Sequence, residues 1–290
     1  MATDIAFAIG FLSLLGSRVP HSLKVFLVTL AIVDDLGAIL VIAAFYTETI
    51  HVMPLAFAFL GLAFMFGMQK TGVRPITPYV LIGILIWLGF LKSGVHATIA
   101  GVLIGIMTPA TPLYDMENFW ERLKKFVQNH RFEGPAIDPQ ELIHLGREYH
   151  SPLDRLEKFL HPWMAFAVVP LFALANAGVA FKTESLLSNT PIAVVTGLVV
   201  GKPIGITLMA WIAVKLKIAH LPRELNWSMI FGAGLLAGIG FTMSLFIGGL
   251  ALQGETLVAA KSGILLGSSC AALLGLGYLA FILKPQPRSK

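Results

Sequence analysis

The chain has 290 residues, of which 56% are apolar and only 13% charged, and its mean hydropathy is +0.80. A soluble core is not this apolar, so the composition excludes a string of water-soluble domains and points to one all-α, polytopic membrane domain over 1–290. The net charge of +5 could suggest a nucleic-acid partner, but the placement of the basic residues along the chain accounts for it otherwise, and the single Cys270 allows no disulfide within one chain.

Apolar windows bounded by Gly, Pro and charge predict about nine spans, near 5–16, 23–46, 53–69, 76–90, 94–108, 159–181, 192–214, 228–252 and 258–283. The first is a partial span, about 18 Å of helix before Gly16-Ser17-Arg18. No positively charged segment precedes it, so it does not read as a signal peptide. The second carries the chain's most informative feature. Asp34 and Asp35 lie side by side inside the 24-residue apolar run from Leu23 to Tyr46, which is the length of a bilayer crossing. A charge at the membrane centre costs about 2.5–3.5 kcal/mol on insertion scales, and such residues line ion and proton paths. Asp4 and Lys202 are the other two charges placed at this depth. The spans at 76–90 and 94–108 are each only about 15 residues, roughly 22 Å of helix, and need shielding by neighbours.

The stretch 109–158 holds nine of the sixteen acids and seven of the twenty-one Lys and Arg residues, so it is expected to be an aqueous loop. Within it Met116, Phe119, Trp120, Leu123, Phe126 and Val127 recur at helical spacing opposite Glu121, Arg122, Lys124 and Lys125. That pattern predicts an amphipathic helix on the membrane surface or packed against the protein. Pro135, Pro139, Gly146 and Pro152 are expected to interrupt the rest of the loop. With the sides alternating from span to span, 17 of the 21 basic residues fall on one side, which is then cytoplasmic and includes the C-terminus. The basic balance therefore reflects membrane topology, and no nucleic-acid partner is expected.

Seven segments in order, Ala2-Thr3-Asp4, Val33-Asp34-Asp35-Leu36-Gly37, Lys92-Ser93-Gly94-Val95-His96, His161-Pro162-Trp163, Ala175-Asn176-Ala177-Gly178, Gly201-Lys202-Pro203 and Gly238-Ile239-Gly240-Phe241-Thr242, resemble the bacterial NhaA-type sodium/proton antiporters. These are inverted-repeat transporters with interrupted helices. The resemblance covers almost the whole chain. It implies twelve spans in the family, matched here from the middle of the fourth onward, so the first three and a half are expected to be lacking. It also implies that Thr3 and Asp4 mark the unwound centre of one interrupted helix, and Gly238, Gly240 and Thr242 that of its inverted mate.

On this resemblance the function is exchange of sodium, with lithium as an alternative cargo, for protons across the bacterial inner membrane, in the service of pH and sodium homeostasis. Sodium is a hard cation that takes oxygen ligands, and a carboxylate binds either the ion or a proton, so competition at one site is the simplest exchanger. Adjacent helical residues point about 100° apart, so Asp34 and Asp35 have different roles. The resemblance makes Asp35 the direct ion ligand and sets Asp34 beside Lys202. Thr3, Asp4, Lys202, Gly238, Gly240 and Thr242 are expected to offset the partial charges of the facing helix ends. His96, and Glu157 with His161 at i, i+4, lie in regions that the family associates with pH response, and histidine titrates in the relevant range. The cargo is sodium ions and protons, the surroundings are the lipid bilayer, no cofactor is called for, and the oligomeric state is open, a homodimer included.

Two other readings use the same residues. One is a fragment of such an antiporter that is inactive on its own. The other is an intramembrane aspartyl protease, which places Asp on two helices with a Gly-x-Gly-Asp signature; here Gly238-Ile239-Gly240 is followed by Phe241. Transport, not enzymatic bond chemistry, is the expected activity.

Overall fold

A computed structural model describes residues 2–45, 50–112, 120–121, 124, 151–177 and 188–283. All regular structure among them is helical. Six helices are long and apolar enough to cross a membrane, and a bent pair makes a seventh crossing if counted as one span. The protein is a multi-pass, all-α membrane protein made of two compact units, Met1–Tyr46 with Val168–Lys290, and Thr47–Ala167.

The first unit begins with an extended segment that leads into α1, Ile5–Ser13. A short 3-10 turn at Gly16–Arg18 comes next. The 25-residue α2, His21–Phe45, starts behind Pro20, whose carbonyl accepts from Leu23 N and Lys24 N. After the unit boundary come α7, Val169–Ala177, α8, Asn189–Thr196, and α9, Lys202–Lys215. A five-residue π-turn, Gly197–Gly201, joins α8 to α9. The unit closes with α10, Trp227–Ala237, α11, Phe241–Ala251, and the 29-residue α12, Gly254–Ile282.

Small residues at nearly regular spacing make α12 the spine of this unit. Ala260, Gly263, Gly267, Ala271 and Gly275 lie on one buried stripe, and the bare glycine faces admit neighbouring backbones. A Cβ on Gly263 would lie 2.7 Å from Pro191 Cα, and one on Gly267 would lie 3.2 Å from Val195 Cα. Gly275 receives Leu236, and Gly234 of α10 receives Pro203 of α9. Leu12, Leu23, Leu27, Ile230, Leu236, Ile239 and Leu279 fill the remaining core. Gly263→Ala is therefore expected to wedge α8 from α12, because the obstructing atoms are backbone. The expected loss is about 1–3 kcal/mol of stability, read by thermal unfolding in detergent; a wild-type melting curve would refute the close-packing assignment.

The second unit contains α3, Val52–Lys70, α4, Ile76–Ser93, α5, Thr98–Met107, and α6, Pro152–Trp163. Ala58, Leu62, Met65, Tyr79, Ile86 and Phe90 form its core. Gly94, at φ 84°, ends α4 in the left-handed conformation that glycine tolerates best. This shortens the expected 94–108 span to Thr98–Met107, ten residues long.

The sequence pattern treats Pro152 as a breaker inside a loop running to 158, and the structure corrects this. Pro152 is the first residue of α6, where the missing N–H would have had no helical partner. Ser151 and Asp154 close a capping box around it: Asp154 N donates to Ser151 Oγ at 3.0 Å and Ser151 N to Asp154 Oδ2 at 3.3 Å. The helix thus begins well before the expected 159. Beyond Pro162, which removes one backbone hydrogen bond, it opens into a second π-turn at Met164–Val168. The amphipathic helix expected around 116–127 lies outside the described residues, apart from Trp120, Glu121 and Lys124.

Candidate functional site

Two unwound segments meet in the first unit. One is Ala2–Asp4, before α1; the other is Gly238–Gly240, between α10 and α11, which are bent by 52°. Asp4 N donates to Ile239 O at 2.7 Å, so the two non-helical stretches are tied by their backbones. Gly238 and Gly240 have φ of −65° and −98°, within reach of any residue, so they are glycines for reasons of space. A side chain at Gly238 would run into Leu198 O of the π-turn, and one at Gly240 into Ala2 O and Ser244 Oγ.

Asp4 serves the starts of two helices, α1 and α11. Its carboxylate caps α1 by accepting from Phe7 N, Oδ1 to N 3.2 Å. Through Oδ2 it accepts from Thr242 N at 3.1 Å and from the Thr242 hydroxyl. Asp4 is 3% exposed. One negative charge therefore sits at the positive ends of two helices, which is what stabilises a carboxylate away from water.

Thr3, fully buried, links this crossing to α2. Lys202 Nζ donates to Thr3 Oγ1 at 2.7 Å. The single hydroxyl hydrogen of Thr3 has two acceptors in reach, Asp34 Oδ2 at 2.9 Å and Ala237 O at 3.0 Å. Lys202 Nζ also forms an ion pair with Asp34 Oδ2 at 2.9 Å, the two side chains being 14% and 31% exposed. Lys202 is the first residue after the π-turn Gly197–Gly201, a rare backbone form that is frequent at functional sites. A cleft of about 590 Å³, lined by Asn189, Thr190, Ala193, Val194, Gly197 and Leu198, reaches Lys202.

Asp35 differs from its neighbour. Its Oδ1 is buried and has no hydrogen-bond partner among the described residues. A carboxylate oxygen left bare beside a satisfied ion pair is a ready ligand for a cation or a proton, and a costly group without either.

Thr3, Asp4, Asp34, Lys202, Gly238, Gly240 and Thr242 are thus joined in one network or at its crossing, with Asp35 next to it on α2. His96, Glu157 and His161 belong to the other unit. His96 Nε2 is buried without a partner among the described residues, whereas Glu157 and His161 are exposed on α6. Sequence reasoning missed Ser268 and the two π-turns. Ser268 Oγ accepts from Gly240 N at 3.3 Å and Phe241 N at 3.1 Å. The small-residue stripe of α12 was the one signal that its polar member faced the interior.

A sequence model of the family described as Na+/H+ antiporter 1 matches residues 1–279. Among curated proteins, the Na(+)/H(+) antiporter NhaA of Rhodopirellula baltica is 48% identical over 99% of this chain and 66% of its own length. The Na(+)/H(+) antiporter NhaA 2 of Vibrio vulnificus is 45% identical over 100% of the chain and 66% of its own. The NhaA of an Escherichia coli strain is 43% identical, covering 98% and 66%. The chain spans about two thirds of the length of these relatives.

Proposed function

The chain belongs to the Na+/H+ antiporter 1 family, and we propose that it exchanges sodium for protons across the bacterial inner membrane through Asp34 and Asp35. The observation that carries this reading is the bare, buried Oδ1 of Asp35 beside the Asp34–Lys202–Thr3 network. This is an oxygen-rich, partly paired group of charges on a 25-residue apolar helix, a placement with little structural rationale and a direct one in ion transfer.

In this reading sodium entering the site takes Asp35 as its first ligand and displaces the proton held there. Asp34 stays paired with Lys202 while the site is empty, and its second oxygen is free to turn toward the ion. When the site opens to the other side, a proton rebinds and the ion leaves, so one set of carboxylates couples the two gradients. Asp4 and Thr242 hold the facing helix ends in place, and the crossing of the two unwound segments gives the site its pivot. His96, Glu157 and His161 are the proposed pH-responsive groups, acting from the other unit. Lithium shares sodium's charge and ligand preference and is a proposed second cargo. The C-terminus lies on the cytoplasmic side by the distribution of basic residues. The function needs the lipid bilayer and the two cargo ions, with no cofactor and no covalent chemistry; a homodimer is compatible with it.

The test is sodium-evoked proton release from the purified chain in detergent, compared with Asp34→Asn and Asp35→Asn. Release is expected to vanish in Asp35→Asn and to fall in Asp34→Asn. Unchanged release in both variants removes the pair from the mechanism.

A further inference from the structure

We infer that Ser268, on α12 and outside both unwound segments, is a positioning residue for the exchange site, holding the start of α11 so that Thr242 stays on Asp4. This rests on the function proposed above.

The first amides of α11 are shared between two acceptors of different kinds. Gly240 N and Phe241 N go to Ser268 Oγ, at 3.3 and 3.1 Å. The next amide, Thr242 N, goes to Asp4 Oδ2 at 3.1 Å. A serine oxygen has two lone pairs, so both are used, and Ser268 is only 5% exposed, so no bulk water replaces it. The Asp4 carboxylate is meanwhile committed to Phe7 N and to both donors of Thr242.

Removal of the Ser268 oxygen leaves two N–H groups without it, one buried and one partly buried, while the carboxylate of Asp4 is already in use. α11 must then shift toward Asp4, or Asp4 must turn from α1 or Thr242. Either movement reaches the carboxylates of α2 in few steps. Asp4 N is bonded to Ile239 O, and the adjacent Thr3 hydroxyl is shared among Ala237 O, Asp34 and Lys202. Ser268 touches neither ion nor proton in this scheme and acts through the break. Its place on the spine of the unit, one residue from Gly267, which packs on Val195 and Leu198, fixes it relative to the π-turn that precedes Lys202.

The experiment uses the full 290-residue chain with Ser268→Ala, Ser268→Thr and Asp35→Asn. It reads the sodium concentration giving half-maximal proton release, and amide hydrogen exchange at Gly240 and Phe241. In Ser268→Ala the half-maximal sodium concentration is expected to rise about tenfold, since part of the loss of the two hydrogen bonds is transmitted to the site, and the two amides to exchange faster. Ser268→Thr, which keeps the oxygen, is expected to restore both. Wild-type sodium dependence in Ser268→Ala, with Asp35→Asn silent, overturns the role of Ser268 alone. Release that is the same in Asp35→Asn as in the wild type overturns the proposed function, and the role of Ser268 with it. Should Ser268→Ala fail to fold, Ser268→Cys, a near isostere with a weak acceptor, is expected to show the same shift; no shift there is equally fatal to the inference.

Discussion

Asp4→Ala is expected to destabilise the protein by about 3–5 kcal/mol, well beyond the loss of an ordinary helix cap, which costs about 0.5–2 kcal/mol. The reason is that one carboxylate serves two helix starts. It caps α1 through Phe7 N and holds α11 through Thr242 N and the Thr242 hydroxyl. Its removal strands three donors in a buried crossing and leaves two positive helix ends facing each other without a counter-charge. Asp4→Asn keeps one carbonyl oxygen but turns an amide N–H₂ toward a donor, so it should recover less than half of the loss. Thermal unfolding of the purified chain in detergent measures both. A loss of about 1 kcal/mol or less in Asp4→Ala, the size of a single cap, would mean that Asp4 caps only α1.

Lys202→Met carries the second large effect. Methionine keeps much of the length and volume of lysine, so the packing of the side-chain stem is largely retained. Asp34 Oδ2 is left with the Thr3 hydroxyl as its one remaining partner among the described residues. Breaking a buried pair by removing one member costs about 3–5 kcal/mol. Asp34 is 31% exposed, and solvent screening of that side reduces the expected loss to about 2–3 kcal/mol. Adding Asp34→Asn to Lys202→Met removes the stranded charge and should return most of the stability, giving a coupling of about 1–2 kcal/mol in the double-mutant cycle. Additive losses would show that the short Lys202–Asp34 distance carries no energetic coupling.

The parts of this architecture that were legible in the sequence are those written locally. An Asp-Asp pair in an apolar run needs no fold to be noticed, because the cost of the charges is set by the membrane alone. The Gly238-Ile239-Gly240 break was legible through the resemblance of its motif, and the structure adds the reason for the glycines: the approach of Leu198 O and Ala2 O. The double role of Asp4 is a contact across 238 residues, and the Ser268 hydrogen bonds cross 28 and 27; no periodicity reports such pairings. The π-turns at Met164–Val168 and Gly197–Gly201 leave the apolar pattern of their spans intact and so give no local signal. Pro152 was misread because proline is both a helix breaker and a favoured first helical residue. The preceding Ser151 and the following Asp154 decide between the two, and a capping pattern could have been sought there.

The central claim, that Asp35 is where sodium and proton compete, is tested most directly by sodium-driven proton movement in proteoliposomes containing this chain beside its Asp35→Asn variant. An inward sodium gradient is expected to drive protons outward with the wild-type chain and to move none with the variant. Equal proton movement in both would contradict the role of Asp35, and movement in neither would contradict exchange by this 290-residue chain.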